Sequence, residues 1–138
     1  ICRRVRRACK MNAHWEYLTH EDVRAIHSYL IAMFGGLDRL RDEGLFDAAI
    51  EQPRQTFDGA DLYPSAAEKA ARYAYGIVNN HPLADGNKRT GGACVGMFLR
   101  LNDIKFKPRH DELLRTVYGV ADGTLGYKEL VSWIEEQL

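Results

Sequence analysis

Residues 65–101 read SAAEKAARYAYGIVNNHPLADGNKRTGGACVGMFLRL, and this stretch decides the fold. Ser65 is a helix N-cap residue, and Ala66, Lys69, Ala70, Tyr73, Ala74, Ile77 and Val78 follow at helical spacing until Asn79-Asn80. A second helix starts near Asn87-Lys88-Arg89 and sets Ala93, Cys94, Met97, Phe98 and Leu101 on one face. Between them, His81-Pro82-Leu83-Ala84-Asp85-Gly86 carries a proline and a glycine, which no helix interior accommodates well. Two helices joined by a short polar turn are thereby expected at the centre of the chain.

The flanks add helices and no sheet. Thr19 and Asp22 have capping-box spacing, and Val23, Ile26, His27, Leu30, Met33 and Phe34 then recur helically up to Gly35-Gly36. A short helix is expected over Asp42–Glu51, ending before Pro53. Gln55–Pro64 is turn-rich and is expected to form a structured flap, with Phe57, Leu62 and Tyr63 supplying its apolar contacts. Two later helices fit Asp111–Ala121 and Tyr127–Gln137. Only Ile104–Phe106 has strand character, and it is too short to found a sheet. The expected class is all-α, a single-domain bundle of about six helices.

The chain has 138 residues with 46% hydrophobic content, enough for one domain with one core. Nineteen basic and nineteen acidic residues balance, but unevenly. Arg3, Arg4, Arg6, Arg7 and Lys10 crowd the first ten positions without an acid; setting those five aside leaves fourteen basic against nineteen acidic, a net charge of −5. An acidic folded part argues against nucleic acid as its main partner. Residues 1–10 are expected to be a disordered or non-native extension, with Met11 the natural start. No apolar run approaches the ~18 residues of a membrane span, and the first residues contain no apolar signal-like core. Cys2, Cys9 and Cys94 are odd in number and form no CxxC pair. A reduced cytoplasm and no membrane contact are therefore expected.

The chemistry-bearing residues gather between the two central helices. A helix start offers unpaired N–H groups and partial positive charge, which favour an anion. Gly86 permits a sharp turn there, and Lys88 and Arg89 add cations suited to phosphate oxygens. Asp85 is a hard carboxylate of the kind Mg²⁺ accepts beside phosphate and water. His81, four residues earlier, is a residue type able to act as general base. Each also has a structural explanation. His81 could cap the preceding helix, Asp85-Gly86-Asn87 could be a turn and cap, and Lys88 and Arg89 could be solvated surface charge. Their ordered combination favours phosphoryl or nucleotidyl transfer, where positioning and charge stabilisation carry most of the catalysis. Gly91-Gly92 within the following helix costs roughly 1 kcal/mol per residue relative to alanine, which implies close packing or ligand approach.

The segment HPLADGNKRT resembles the Fic signature HxFx(D/E)GNGRxxR, and more closely its Doc (death-on-curing) variant, which has lysine where Fic enzymes have the second loop glycine. The resemblance extends to Leu37–Gln55, to DLYP at Asp61–Pro64, to EKAA at Glu68–Ala71 and to the helix after Arg89, so that residues 11–138 look like a Doc-type Fic domain. It implies that His81 is the catalytic base, Asp85 the Mg²⁺ ligand, Gly86, Asn87 and Lys88 the anion-binding loop, and Arg89 a phosphate contact. Leu83 replaces the family's usual phenylalanine and should still anchor the loop. Lys88 and Gly92 depart from the AMP-transferring Fic pattern, Gly92 standing where those enzymes have a second arginine.

The Doc resemblance further implies ATP and Mg²⁺, an inverted nucleotide, and γ-phosphate transfer to a Ser or Thr hydroxyl of a protein target, translation elongation factor Tu in the family. Growth arrest would follow, and restraint would come from a separate antitoxin offering an amphipathic helix in trans. Two alternatives stay open: AMP transfer on the same fold, and a nucleotide-binding or interaction module without catalysis.

Overall fold

Side-chain caps set the helix boundaries. In a computed structural model that describes residues 14–138, Ser65 Oγ accepts the Glu68 N–H and Glu68 Oε1 accepts the Ser65 N–H, each at 3.1 Å. Thr19 and Asp22 form the same reciprocal pair at 2.9 and 3.0 Å. Asp42 caps through its Oδ1, which accepts the Leu45 N–H at 3.0 Å. Six α-helices result among the described residues: α1 (His20–Phe34), α2 (Glu43–Glu51), α3 (Ala66–Asn80), α4 (Asn87–Leu101), α5 (His110–Asp122) and α6 (Tyr127–Glu136). The basic segment 1–10 lies outside the described residues.

Helix α3 is the axis, packing against α2, α4, α5 and α6. Small side chains make this possible. Ala66, Ala67, Ala70, Ala71, Ala74 and Gly76 are buried, letting neighbouring backbones approach closely. A β-carbon on Gly91 of α4 would lie 2.5 Å from Val78 Cγ2 and 3.3 Å from the Ala74 carbonyl oxygen, so this glycine exists for close packing. Alanine at an ordinary helical glycine gains about 1 kcal/mol. At Gly91 overpacking of about 1–3 kcal/mol opposes that gain. Gly91→Ala is expected to lower Tm by roughly 4 °C. Gly96→Ala in the same helix should raise it, because only Phe106 Cδ2, at 3.9 Å, lies near its added carbon. Thermal unfolding of the two variants checks the contrast.

The aromatic end of the core forms around Phe98, with Tyr73, Trp15 and Tyr17 ring centroids at 5.5, 6.0 and 6.1 Å. Two polar groups are buried there with partners. Tyr73 Oη accepts the Leu18 N–H at 2.9 Å, and Asn102 Oδ1 accepts the Glu16 N–H at 3.0 Å, tying the segment before α1 to the bundle. Cys94 is fully buried, and burial pushes its thiol up to about 12, so it serves as a small apolar residue.

Some expectations about faces need correction. On α1, Val23 and His27 are buried, but Met33 and Phe34 are 58% and 53% exposed because the end of the helix runs past the core. On α4, Cys94 and Phe98 are buried as expected. Met97 and Leu101 face outward, however, and Val95 and Leu99 take the core positions. Ile104–Phe106 forms no strand; Ile104 is buried as the chain leaves α4, its N–H bonded to Leu99 O at 2.9 Å. The chain passes Pro53 in a 3₁₀ turn, Gln52–Arg54.

The flap is a minimal β-hairpin, β1 (Thr56–Phe57) paired antiparallel with β2 (Ala60–Asp61) through an Asp58-Gly59 turn in which both residues have positive φ. Phe57 is 74% exposed and Leu62 about half, so the apolar contacts expected of these two fail. Tyr63 does pack, against Tyr127, and Asp61 adds an ion pair, its Oδ2 lying 3.0 Å from the buried Lys69 Nζ.

Candidate active site

The six-residue connection from α3 to α4 is braced at every point. His81 caps α3 in the left-handed conformation (φ 50°, ψ 55°), which turns the chain sharply and leaves the residue exposed. Arg41 clasps the end of α3: its Nη2 donates to Asn80 O at 2.8 Å and its Nε to His81 O. Residues Arg39–Asp42 then run antiparallel to Pro82–Ala84, with Arg41 N and Asp42 N donating to Pro82 O and Ala84 N to Arg39 O. The Leu83 side chain is 1% exposed and anchors the loop, as expected of an apolar residue there. Its main-chain groups are taken by one side chain: Leu83 N–H donates to Asn87 Oδ1 at 2.9 Å, and Asn87 Nδ2 donates to Leu83 O at 3.0 Å.

Asp85 and Gly86 follow. Gly86 (φ 78°) is the N-cap of α4 and supplies no side-chain cap, so the cap leaves the first-turn N–H groups to another acceptor. The Asp85 carboxylate accepts the Leu37 N–H at 2.8 Å and stays exposed. Leu37 reaches it because Gly35 and Gly36 both adopt positive φ; a β-carbon on Gly36 would sit 3.0 Å from Asp85 Cβ. Lys88 Nζ lies over the Tyr118 ring at 5.3 Å and Arg89 Cζ over Phe34 at 4.1 Å. Exposed contacts of this kind are worth only ~0.5–1 kcal/mol, so an arriving polyanion can draw both cations away.

These residues suit a nucleotide with a divalent cation. Among the described residues no cluster of three His, Cys, Asp or Glu side chains gathers to hold a metal alone. A cation at Asp85 would complete its shell from phosphate oxygens and water, which is Mg²⁺ behaviour. Asn87 is the exception within the set. Its side chain is committed to Leu83, which leaves only its main-chain N–H for any anion at the start of α4.

A Fic/DOC family profile matches residues 17–99. The chain belongs to the Fic/Doc family. It is 42% identical over 96 residues to Toxin Doc of Mycolicibacterium smegmatis, covering 70% of this chain and 72% of that protein. It is 30% identical over 112 residues to the protein kinase doc of Escherichia phage P1, covering 79% and 85% respectively. Both relatives place it on the Doc branch of the family.

Within a Fic/Doc domain, the departure at Gly92 has structural meaning. Gly92 is buried beside Val117 and Leu113 of α5 and lines an apolar cleft of about 150 Å³ with Leu30, Phe34 and Ala93; Lys88 and Arg89 stand at this cleft too. Where a second arginine would add charge, this chain presents an apolar hollow beside two cations. The Doc-like motif itself was legible in the sequence, but its supports were not. Arg41, the Leu37 N–H and His27 act on the loop from 40 to 58 residues away. Gly36 had a visible signal, because two consecutive glycines exceed what a helix stop needs.

Proposed function

We propose that this chain is a Doc-type toxin that transfers the γ-phosphate of ATP to a Ser or Thr hydroxyl of a protein target, translation elongation factor Tu being the first candidate. The observation that carries the reading is the braced loop, in which an exposed histidine, an exposed carboxylate and an uncapped helix start with two cations follow one another within nine residues. The names of the two Doc relatives support toxin and kinase activity.

His81 would take the hydroxyl proton as the target oxygen bonds to the γ-phosphorus, and ADP would leave with the electrons of the broken P–O bond. The α4 N–H groups at Asn87 and Lys88, with the Lys88 and Arg89 side chains, would hold the phosphates after releasing Tyr118 and Phe34. Asp85 would hold Mg²⁺, which when bound neutralises phosphate charge. Gly86 would let the phosphates approach the main chain. The flap, Gln55–Pro64, would align the target chain.

An antitoxin bound in trans would supply an amphipathic helix. Phe34 on α1 with Ala93, Met97 and Leu101, spaced four apart on α4, offers apolar surface for it. No described helix is long and apolar enough to cross a membrane, and the proposed target is a cytoplasmic protein.

Incubating the protein and Mg²⁺ with purified elongation factor Tu, or with lysate, and ATP labelled at the α- or γ-phosphate tests the reading. Label transferred from γ-ATP alone supports it; label from α-ATP assigns AMP transfer instead; ATP binding without transfer assigns a non-catalytic module. Lys88→Gly is expected to lower γ-transfer at least tenfold, the scale of one charge-assisted phosphate contact of ~1.5–3 kcal/mol. Unchanged γ-transfer would show that Lys88 does not select the phosphate.

A further inference from the structure

His27 is fully buried on α1, where a polar ring needs specific partners. Its Nε2 lies 2.8 Å from the Asp85 main-chain oxygen. A carbonyl only accepts, so Nε2 carries the hydrogen and donates. Nδ1 faces Asp38 Oδ1 at 3.5 Å, too long for a hydrogen bond. The ring edge rests on the next residue of the loop: a β-carbon on Gly86 would lie 3.6 Å from His27 Cδ2 and 3.7 Å from Nε2. Asp38 belongs to the turn after α1, and its neighbour Leu37 donates to the Asp85 carboxylate at 2.8 Å. One continuous segment, residues 27–38, thus grips Asp85 twice, by its main chain and by its side chain.

We infer that His27 is a positioning residue for Asp85: it fixes the carbonyl of Asp85, so that the carboxylate stays on the Leu37 N–H and faces a cation with its geometry already set. This rests on the reading of Asp85 as the Mg²⁺ ligand. A histidine needed only for folding would stabilise the domain without affecting how tightly a cation is held. Groups that orient a metal ligand typically change metal affinity or activity by about 10–100-fold when lost.

The test compares His27→Gln with His27→Asn. Both place an uncharged amide in the same buried space, and they differ by one methylene. The glutamine N–H reaches the position of Nε2; the asparagine N–H falls short. Two measurements are made on the full chain: the Leu37 amide resonance without nucleotide, and the Mg²⁺ concentration that half-saturates ATP binding, by calorimetry. His27→Asn is expected to move the Leu37 resonance and raise the Mg²⁺ requirement about 10–100-fold, whereas His27→Gln stays near wild type. The inference fails if His27→Asn lowers Tm but leaves both readouts unchanged, or if both variants shift them equally. Should wild-type ATP binding prove independent of Mg²⁺, the metal reading of Asp85 falls. The Leu37 resonance then still decides whether His27 positions Asp85.

Discussion

His81→Ala is expected to reduce phosphoryl transfer about 10²–10⁴-fold, the usual contribution of a positioned general base, while Mg-ATP binding stays close to wild type. The separation follows from how the residue is held. Its main chain does the structural work: the N–H bonds to Ile77 O at 3.2 Å and the carbonyl accepts from Arg41 Nε. The imidazole sits on an exposed residue, so removing it should leave the bracing of the loop intact. Alanine in the left-handed region costs roughly 1 kcal/mol, a small part of a domain's stability. His81→Asn is the matched control, because asparagine tolerates that conformation but is no base. Transfer from γ-labelled ATP and calorimetric ATP binding, measured on both variants, check this. Full activity in either would remove His81 from the mechanism.

Asn87→Ala should be the most damaging single change to the loop. It strips the partners from both main-chain groups of buried Leu83, at a cost of about 2–4 kcal/mol for unsatisfied buried groups. The loss falls where α3 hands over to α4, so Asp85 and Gly86 should lose their alignment, and transfer should drop about 10²-fold or more. Asn87→Asp separates stability from phosphate binding. A carboxylate still accepts the Leu83 N–H and adds charge of the sign a helix start favours, but it repels phosphate. The aspartate variant should therefore show a smaller fall in Tm and a greater loss of ATP affinity than the alanine variant. Calorimetry and thermal unfolding on the pair check the prediction. Equal ATP affinity in both would place the phosphates away from the start of α4.

Several features were legible because their causes are local. Thr19, Asp42 and Ser65 mark helix starts through side chains that bond within the same turn; Thr19 and Ser65 cap as expected, and Asp42, expected as the first helical residue, is the cap. Gly35 and Gly123 end helices with positive φ, and His81 does so without being glycine. The Doc-like motif was equally visible, since its residues lie within nine positions and resemble a known signature. Faces were harder. Apolar residues lie all around α4, so periodicity could not choose between Cys94, Val95, Phe98 and Leu99, which are buried, and Met97 and Leu101, which are not. The flap misled for a related reason: Phe57 carries an apolar ring, but its two-residue strand stands away from the core.

Helix limits, the all-helical class and the order of the motif residues thus follow from contacts spanning one turn of chain, which residue type and spacing encode directly. The shape of the loop does not. Asp85 is held by Leu37 and His27, and the end of α3 by Arg41, through hydrogen bonds that exist only once α1 and the segment after it have packed beside α4. Such partners are chosen by proximity in the folded bundle, and nothing in their local sequence distinguishes a buried strut from a residue of an apolar stripe. His27 lay on that stripe, and packing alone made it a hydrogen-bond donor to the loop.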